Sequence, residues 1–190
     1  IGCHFNNCKC AIDCQAEFSR VVSCVFKDCV YGIYAKSGNL KLSSSHFVRC
    51  DVGIVIANSG NGGHSQYSGC EWAHNGLFGI YSIMLPTALG LCITGCQFAD
   101  APIAGKFGGL CIVGSRIDSW FRFDAGLGTG ISNLIHSCIF ERSYMERDFY
   151  PIYGVNYLDY YFQLETGTSV DLKNNISLYP SVLPSTVINN

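Results

Sequence analysis

The chain has 190 residues, enough for one domain with a sizeable core. Charged residues make up only 14% of it and the net charge is −2, so nothing in its composition draws it to nucleic acid or to an anionic membrane surface. No apolar run approaches the roughly 20 residues of a membrane span, so no membrane insertion is expected.

The first element in chain order is the phrase Cys3-His-Phe5. It returns as Cys24-Val-Phe26, Ser45-His-Phe47, Cys70-Glu-Trp72, Cys96-Gln-Phe98, Ser115-Arg-Ile117 and Cys138-Ile-Phe140. The closing residues of successive phrases lie 21, 21, 25, 26, 19 and 23 positions apart. A small residue two places before a large apolar one, repeated at this period, marks a solenoid.

The alternation inside each unit says which solenoid. With the closing residue as position zero, apolar residues fall at −7 and −5 (Leu40 and Leu42, Leu91 and Ile93, Leu110 and Ile112). They fall again at −2 and 0, and at +7 and +9 (Ile33 and Ala35, Ile54 and Ile56). Each pair has period two, the mark of a short strand with one buried face. Gly, Ser and Asn between the pairs supply the turns. The pattern predicts an all-β chain: a right-handed parallel β-helix of about seven rungs, three short strands per rung, over residues 1–143. A leucine-rich repeat would need Leu-x-x-Leu-x-Leu spacing and a helical return, and neither is present.

The first three rungs have short turns. Later rungs carry longer excursions at 58–66, 82–90 and 124–130, all leaving after the +9 strand. In a solenoid such insertions gather on one face, often the binding face. They are expected to wall a groove whose floor is the outer side of the strand that holds the closing residue. After Phe140 the phrase dissolves. Residues 144–162 hold six of the eleven tyrosines, so 144–190 reads as an aromatic-rich C-terminal cap or intersubunit segment. The chain opens in mid-rung at Ile1, which predicts that an N-terminal part of the full protein precedes it.

The twelve cysteines follow the repeat. Cys3, Cys24, Cys70, Cys96 and Cys138 share position −2, and Cys8, Cys29 and Cys50 share +3. Equivalent residues of successive rungs stack about 4.8 Å apart with parallel side chains. That arrangement suits small inward hydrophobes better than disulfides, so free thiols and assembly in a reducing cytoplasm are expected. Only Cys8-Lys-Cys10 and Cys10-x-x-x-Cys14 are closely spaced, and zinc needs clustered, converging ligands. No metal and no cofactor are expected.

The irregular rung, the Cys/Ser-x-Phe phrase and the aromatic C-terminal segment resemble the pectate-lyase-like β-helix superfamily. Within it the chain is most similar to viral (phage) tailspike and depolymerase proteins, over roughly residues 1–143. The resemblance implies a homotrimer on a virion tail or fibre that binds, and often cleaves, cell-surface polysaccharide by hydrolysis or a lyase reaction. It carries over no active-site motif. A non-catalytic attachment module of a viral fibre is the alternative, as is a secreted or cell-surface location.

Candidate chemistry is read from the residues themselves. Asp118 and Glu141 both occupy +1 on adjacent rungs, and stacked carboxylates share a proton, bind a cation or are neutralised by neighbours. Retaining glycosidases need carboxyls about 5–5.5 Å apart and inverting ones about 6.5–9.5 Å. Asp118 with Glu141 fits the first range and Asp100 with Asp118 the second, and Glu71 is a further acid. Arg116 and Arg142 flank the pair, so a surface ion network is the competing reading. His46 and His74 stand outside neighbouring rungs with Glu71 between them, a set suited to acid–base work or to plain solvation. Trp120 takes the +3 place of the smaller cysteines, which implies either a widened rung or an outward platform for sugar stacking. Asp118, Glu141, Asp100 and Glu71 are therefore the candidate catalytic residues, and Trp120, Arg116, Arg142 and His74 the candidate binding residues. Up the coil, position −6 reads Arg20, Lys41, Gln66, Cys92, Cys111, Leu134. That outer face turns from charged to apolar, which predicts a covering subunit.

Overall fold

The computed structural model describes residues 2–36, 39–57, 64–83, 90–124, 132–141, 162–164, 168–177 and 186–189. The described residues form a parallel β-helix with three sheets and no helix. Sheet A holds the closing residues of the phrase, in His4–Asn6, Val25–Lys27, His46–Val48, Glu71–Ala73, Gln97–Ala99, Arg116–Asp118, Ile139–Phe140 and Ile176–Ser177. Sheet B stacks Cys10–Cys14, Tyr31–Ala35, Val52–Ile56, Phe78–Ser82, Ile103–Gly105, Phe121–Phe123 and Phe162–Leu164. Sheet C stacks Arg20–Val22, Lys41–Ser43, Gln66–Ser68, Cys92–Thr94, Cys111–Val113, Ser132–His136 and Thr168–Lys173. Thr186–Asn189 then adds to sheet C antiparallel. The tyrosine-rich stretch at 144–161 lies outside the described residues. The parallel sheets continue beyond it, with Asn175 in the small-residue place and Ser177 paired to Phe140.

From the second layer to Phe140 the apolar inward positions read from the alternation are buried, whereas Cys3 of the first layer is exposed and Phe5 and Ile12 are half-buried; the closing residues form the spine of the core. Phe5, Phe26, Phe47, Trp72 and Phe98 stack in turn, with neighbouring ring centroids 5.1, 4.6, 5.3 and 4.7 Å apart and planes within 6°. Parallel register alone produces this, because it puts identical positions directly above one another. Beside the stack, sheet B repeats Tyr31-Gly-Ile-Tyr34, Val52-Gly-Ile-Val55 and Phe78-Gly-Ile-Tyr81 in register. The middle glycine leaves no room: a Cβ on Gly53 would lie 2.6 Å from the Gly79 carbonyl oxygen and 2.7 Å from Trp72 Cδ1.

The phrase begins with Cys or Ser for a hydrogen-bonding reason. The Cys24 and Cys96 backbone N–H groups donate to the Ser45 and Ser115 hydroxyls of the next layer, both at 3.1 Å. Cys70 N–H donates to the Cys96 sulfur at 3.4 Å, and Cys138 N–H to the Asn175 side-chain oxygen at 2.8 Å. The same side chains donate back to the carbonyl two residues earlier, as Ser45 does to Ser43 and Cys70 to Ser68. A small side chain that both accepts and donates closes the corner between sheets C and A, where a buried amide would otherwise go unpaired.

Among the described residues, in four successive layers two residues turn the chain into and out of sheet A with φ between 47° and 60°, and the other layers have one. Glycine, serine or asparagine mostly fills the first corner, whereas Asn7, Asp28, Arg49, His74 and Asp100 fill the second. Left-handed backbone is uncommon for such side chains and locks them at the corner.

All twelve cysteines are free, and seven of them are buried. Denatured protein should therefore titrate about twelve thiols without reductant. In the native state the exposed Cys3 and Cys10 should react first and the seven buried thiols last. Most of the thiols proving oxidised in a quantitative titration would contradict this arrangement.

Candidate acid cluster at the corner between sheets A and B

Sheet A has two outward columns. At position −1, His46 and Glu71 are register partners, joined Nδ1 to Oε2 at 3.0 Å. The second column lies nearer sheet B. There Arg49 grips Asp28 through Nε and Nη2 at 2.8 and 3.0 Å, and His74 Nδ1 meets Asp100 Oδ2 at 3.0 Å. Arg116 reaches across from the first column to Glu141. The Arg49 guanidinium holds the Asp28 carboxyl below the usual range. Such exposed pairs each contribute little to stability.

Asp118 differs from the other carboxylates. It is half-buried, and its Oδ1 is buried without a hydrogen-bond partner. Burial, followed by the charges of Asp100 and Glu141, pushes its pKa up to about 6, against the opposing pull of Arg116 and His74. Asp100 also has a buried, unpartnered Oδ1, and the neighbouring Ser119 hydroxyl is buried without a partner. Burial and like charges that raise a carboxyl's pKa are the means by which a general acid is made.

Of the candidate residues, the fold brings together His74, Asp100, Arg116, Asp118 and Glu141. Glu71 stands apart, paired with His46 on a strand two steps from that of Asp118, about 10 Å away along the coil. Arg142 lies outside the described residues. Trp120 does not join the inward +3 ladder. The link from Ile117 to Phe121 is one residue shorter than that from Phe98 to Ile103, and Ile103 pairs with Phe121. Ser119 therefore turns inward and Trp120 packs on the outer side of sheet B, edge-on to Phe78 at 6.3 Å.

That outer face is a feature the sequence reading missed. Val52, Val55, Phe78 and Ala104 form a small second apolar cluster there, with half-buried Tyr31, Tyr34, Tyr81 and Trp120 packed around it. Tyr81 stacks on Phe78 at 4.9 Å, and the Lys36 ammonium sits 5.5 Å above the Tyr34 ring. The signal was present in the repeated x-Gly-Ile-x motif, whose two flanking positions are large and apolar in three successive layers.

The excursions at 58–66, 82–90 and 124–130 lie largely outside the described residues; the described strands before and after each of them belong to sheets B and C. The aromatic face of sheet B adjoins the Asp118 cluster at the corner between sheets A and B. Among the described residues no three His, Cys, Asp or Glu side chains converge as a metal site. Neither a protein-family model, nor a curated protein, nor a solved structure matches the chain.

Proposed function

We propose that this protein recognises cell-surface polysaccharide on the outer face of sheet B and cleaves it at the adjoining corner, as a tailspike-like module of a viral tail or fibre. The observation that carries this reading is the Asp118 carboxyl, raised to about 6 between Asp100 and Glu141 at the edge of an aromatic face. Tyrosine and tryptophan rings stack on the apolar faces of sugars, and a rigid coil presents them in register along an extended polymer. Tyr34 and Tyr81 stand two layers apart, about 10 Å, the scale of a disaccharide step. Asp118 is the proton donor to the leaving glycosidic oxygen, and Asp100 or Glu141 is the second carboxyl group. Assembly as a homotrimer through the apolar end of sheet C belongs to the same reading.

A second reading has its own support. The Arg116–Glu141 ion pair and the His74–Asp100 contact engage two of the three acids of the cluster, as a purely structural attachment module would require. Incubating the protein with purified capsular and O-antigen polysaccharides, and measuring both retention and new reducing ends, separates the two. Retention with new reducing ends is the expected result. Retention alone makes it an attachment module, and neither signal across the panel overturns the glycan reading.

A further inference from the structure

Cys92 and Cys111 are register partners on adjacent strands of sheet C. The isoleucines that follow them, Ile93 and Ile112, are wholly buried, so the two thiols stand side by side on the outer face, half-buried. The ladder cysteines are different, because Cys70, Cys96 and Cys138 donate to backbone carbonyls inside the coil. Cys10 donates to the Ile12 carbonyl and has Tyr31 as its register partner. Cys92 lies 3.7 Å from the Thr94 hydroxyl, and among the described residues neither outward thiol donates to a carbonyl.

Parallel strands about 4.8 Å apart hold these two Cβ vectors alongside one another. A disulfide needs the Cβ atoms closer, at about 3.8 Å, and turned toward each other. A large soft atom seated between two sulfurs needs the side-by-side arrangement. Zinc is a poor occupant, since it takes four ligands and among the described residues no third His, Cys, Asp or Glu converges here. Gln66 below Cys92 and Leu134 above Cys111 are uncharged, so no carboxylate beside the pair recruits a hard cation.

We propose that Cys92 and Cys111 form a two-coordinate site for a soft monovalent metal ion of the Cu(I) type, for which thiolates are the preferred ligands. On binding, two S–H bonds are exchanged for two sulfur–metal bonds, both protons leave to solvent, and no electron is transferred. The bound ion ties the fifth and sixth layers of the coil together across sheet C. This site does not depend on the Asp118 cluster, and it lies on the sheet C face that the glycan reading assigns to trimer contact.

The test is an anaerobic titration in which Cu(I) is supplied from a chromogenic Cu(I) chelator. The parent protein should withdraw one equivalent. Cys92→Ser and Cys111→Ser should each lose it, while Cys8→Ser and Cys10→Ser keep it. Thermal melting of each variant confirms that the coil is intact, and Cys92→Ala and Cys111→Ala serve where a serine variant fails to fold. If the parent withdraws no copper, or if folded variants at position 92 or 111 withdraw as much as the parent, the site is overturned.

Discussion

Replacing Trp72 by alanine should destabilise the protein by about 3–5 kcal/mol, the largest loss expected from any single change in the coil. Its ring is fully buried in the middle of the aromatic stack, 5.3 Å from Phe47 and 4.7 Å from Phe98, and it also touches Tyr67. Removing it opens a cavity that cannot collapse, because the backbone on either side is fixed by parallel ladders to the layers above and below. In a solenoid each layer contacts only its neighbours, so the loss falls on the coupling between the two halves. Equilibrium denaturation should show a lower midpoint and a broader or stepped transition. Trp72→Phe keeps a ring in the stack and deletes an indole N–H that is buried without a partner, so it should recover most of the stability. Equal losses in the two variants would mean that the stack is not what holds the layers.

Asp118→Asn should lower glycan cleavage by about 10²–10⁴-fold, the range expected when a general acid is removed. The same variant should be more stable than the parent at pH 8. The folded-state pKa of Asp118 is raised to about 6, above the ordinary carboxylate value of about 3.9. Between those values the folded chain holds a proton that the unfolded chain has released. The contribution of Asp118 to stability therefore falls as pH rises through that window and is fully unfavourable above it. Asparagine removes the buried charge, so the gap between variant and parent melting temperatures should be widest at pH 8 and close toward pH 4. Lost turnover combined with gained stability is the signature of a group kept for chemistry. A variant that cleaves as well as the parent, on a substrate the parent degrades, would remove Asp118 from the mechanism.

Much of this architecture can be read directly from the chain. The Cys/Ser-x-Phe phrase fixes the inward ladder, because identical positions in a parallel coil must stack and only a period-two alternation buries one face of a short strand. The pairs at −7 and −5 and at +7 and +9 locate the other two sheets for the same reason, and every inward residue named from them is buried. The buried, unoxidised cysteines follow from that stacking too.

Relations between sheets were settled only in three dimensions. Position labels counted from Phe98 cannot register a corner one residue shorter, so only the folded coil decides between the two placements of Trp120, with Ser119 inward and Trp120 on the outer side of sheet B. Linear spacing placed Glu71 with the other acids. The ladder instead pairs it with His46, because the partner directly beneath a strand residue is close enough to bond and one two layers away is not. Each long excursion follows a strand of sheet B and precedes a strand of sheet C, because the chain visits A, B and C in turn. The pKa of Asp118 likewise depends on burial and on charges from the layers on either side of it, and only the folded coil brings those charges within reach.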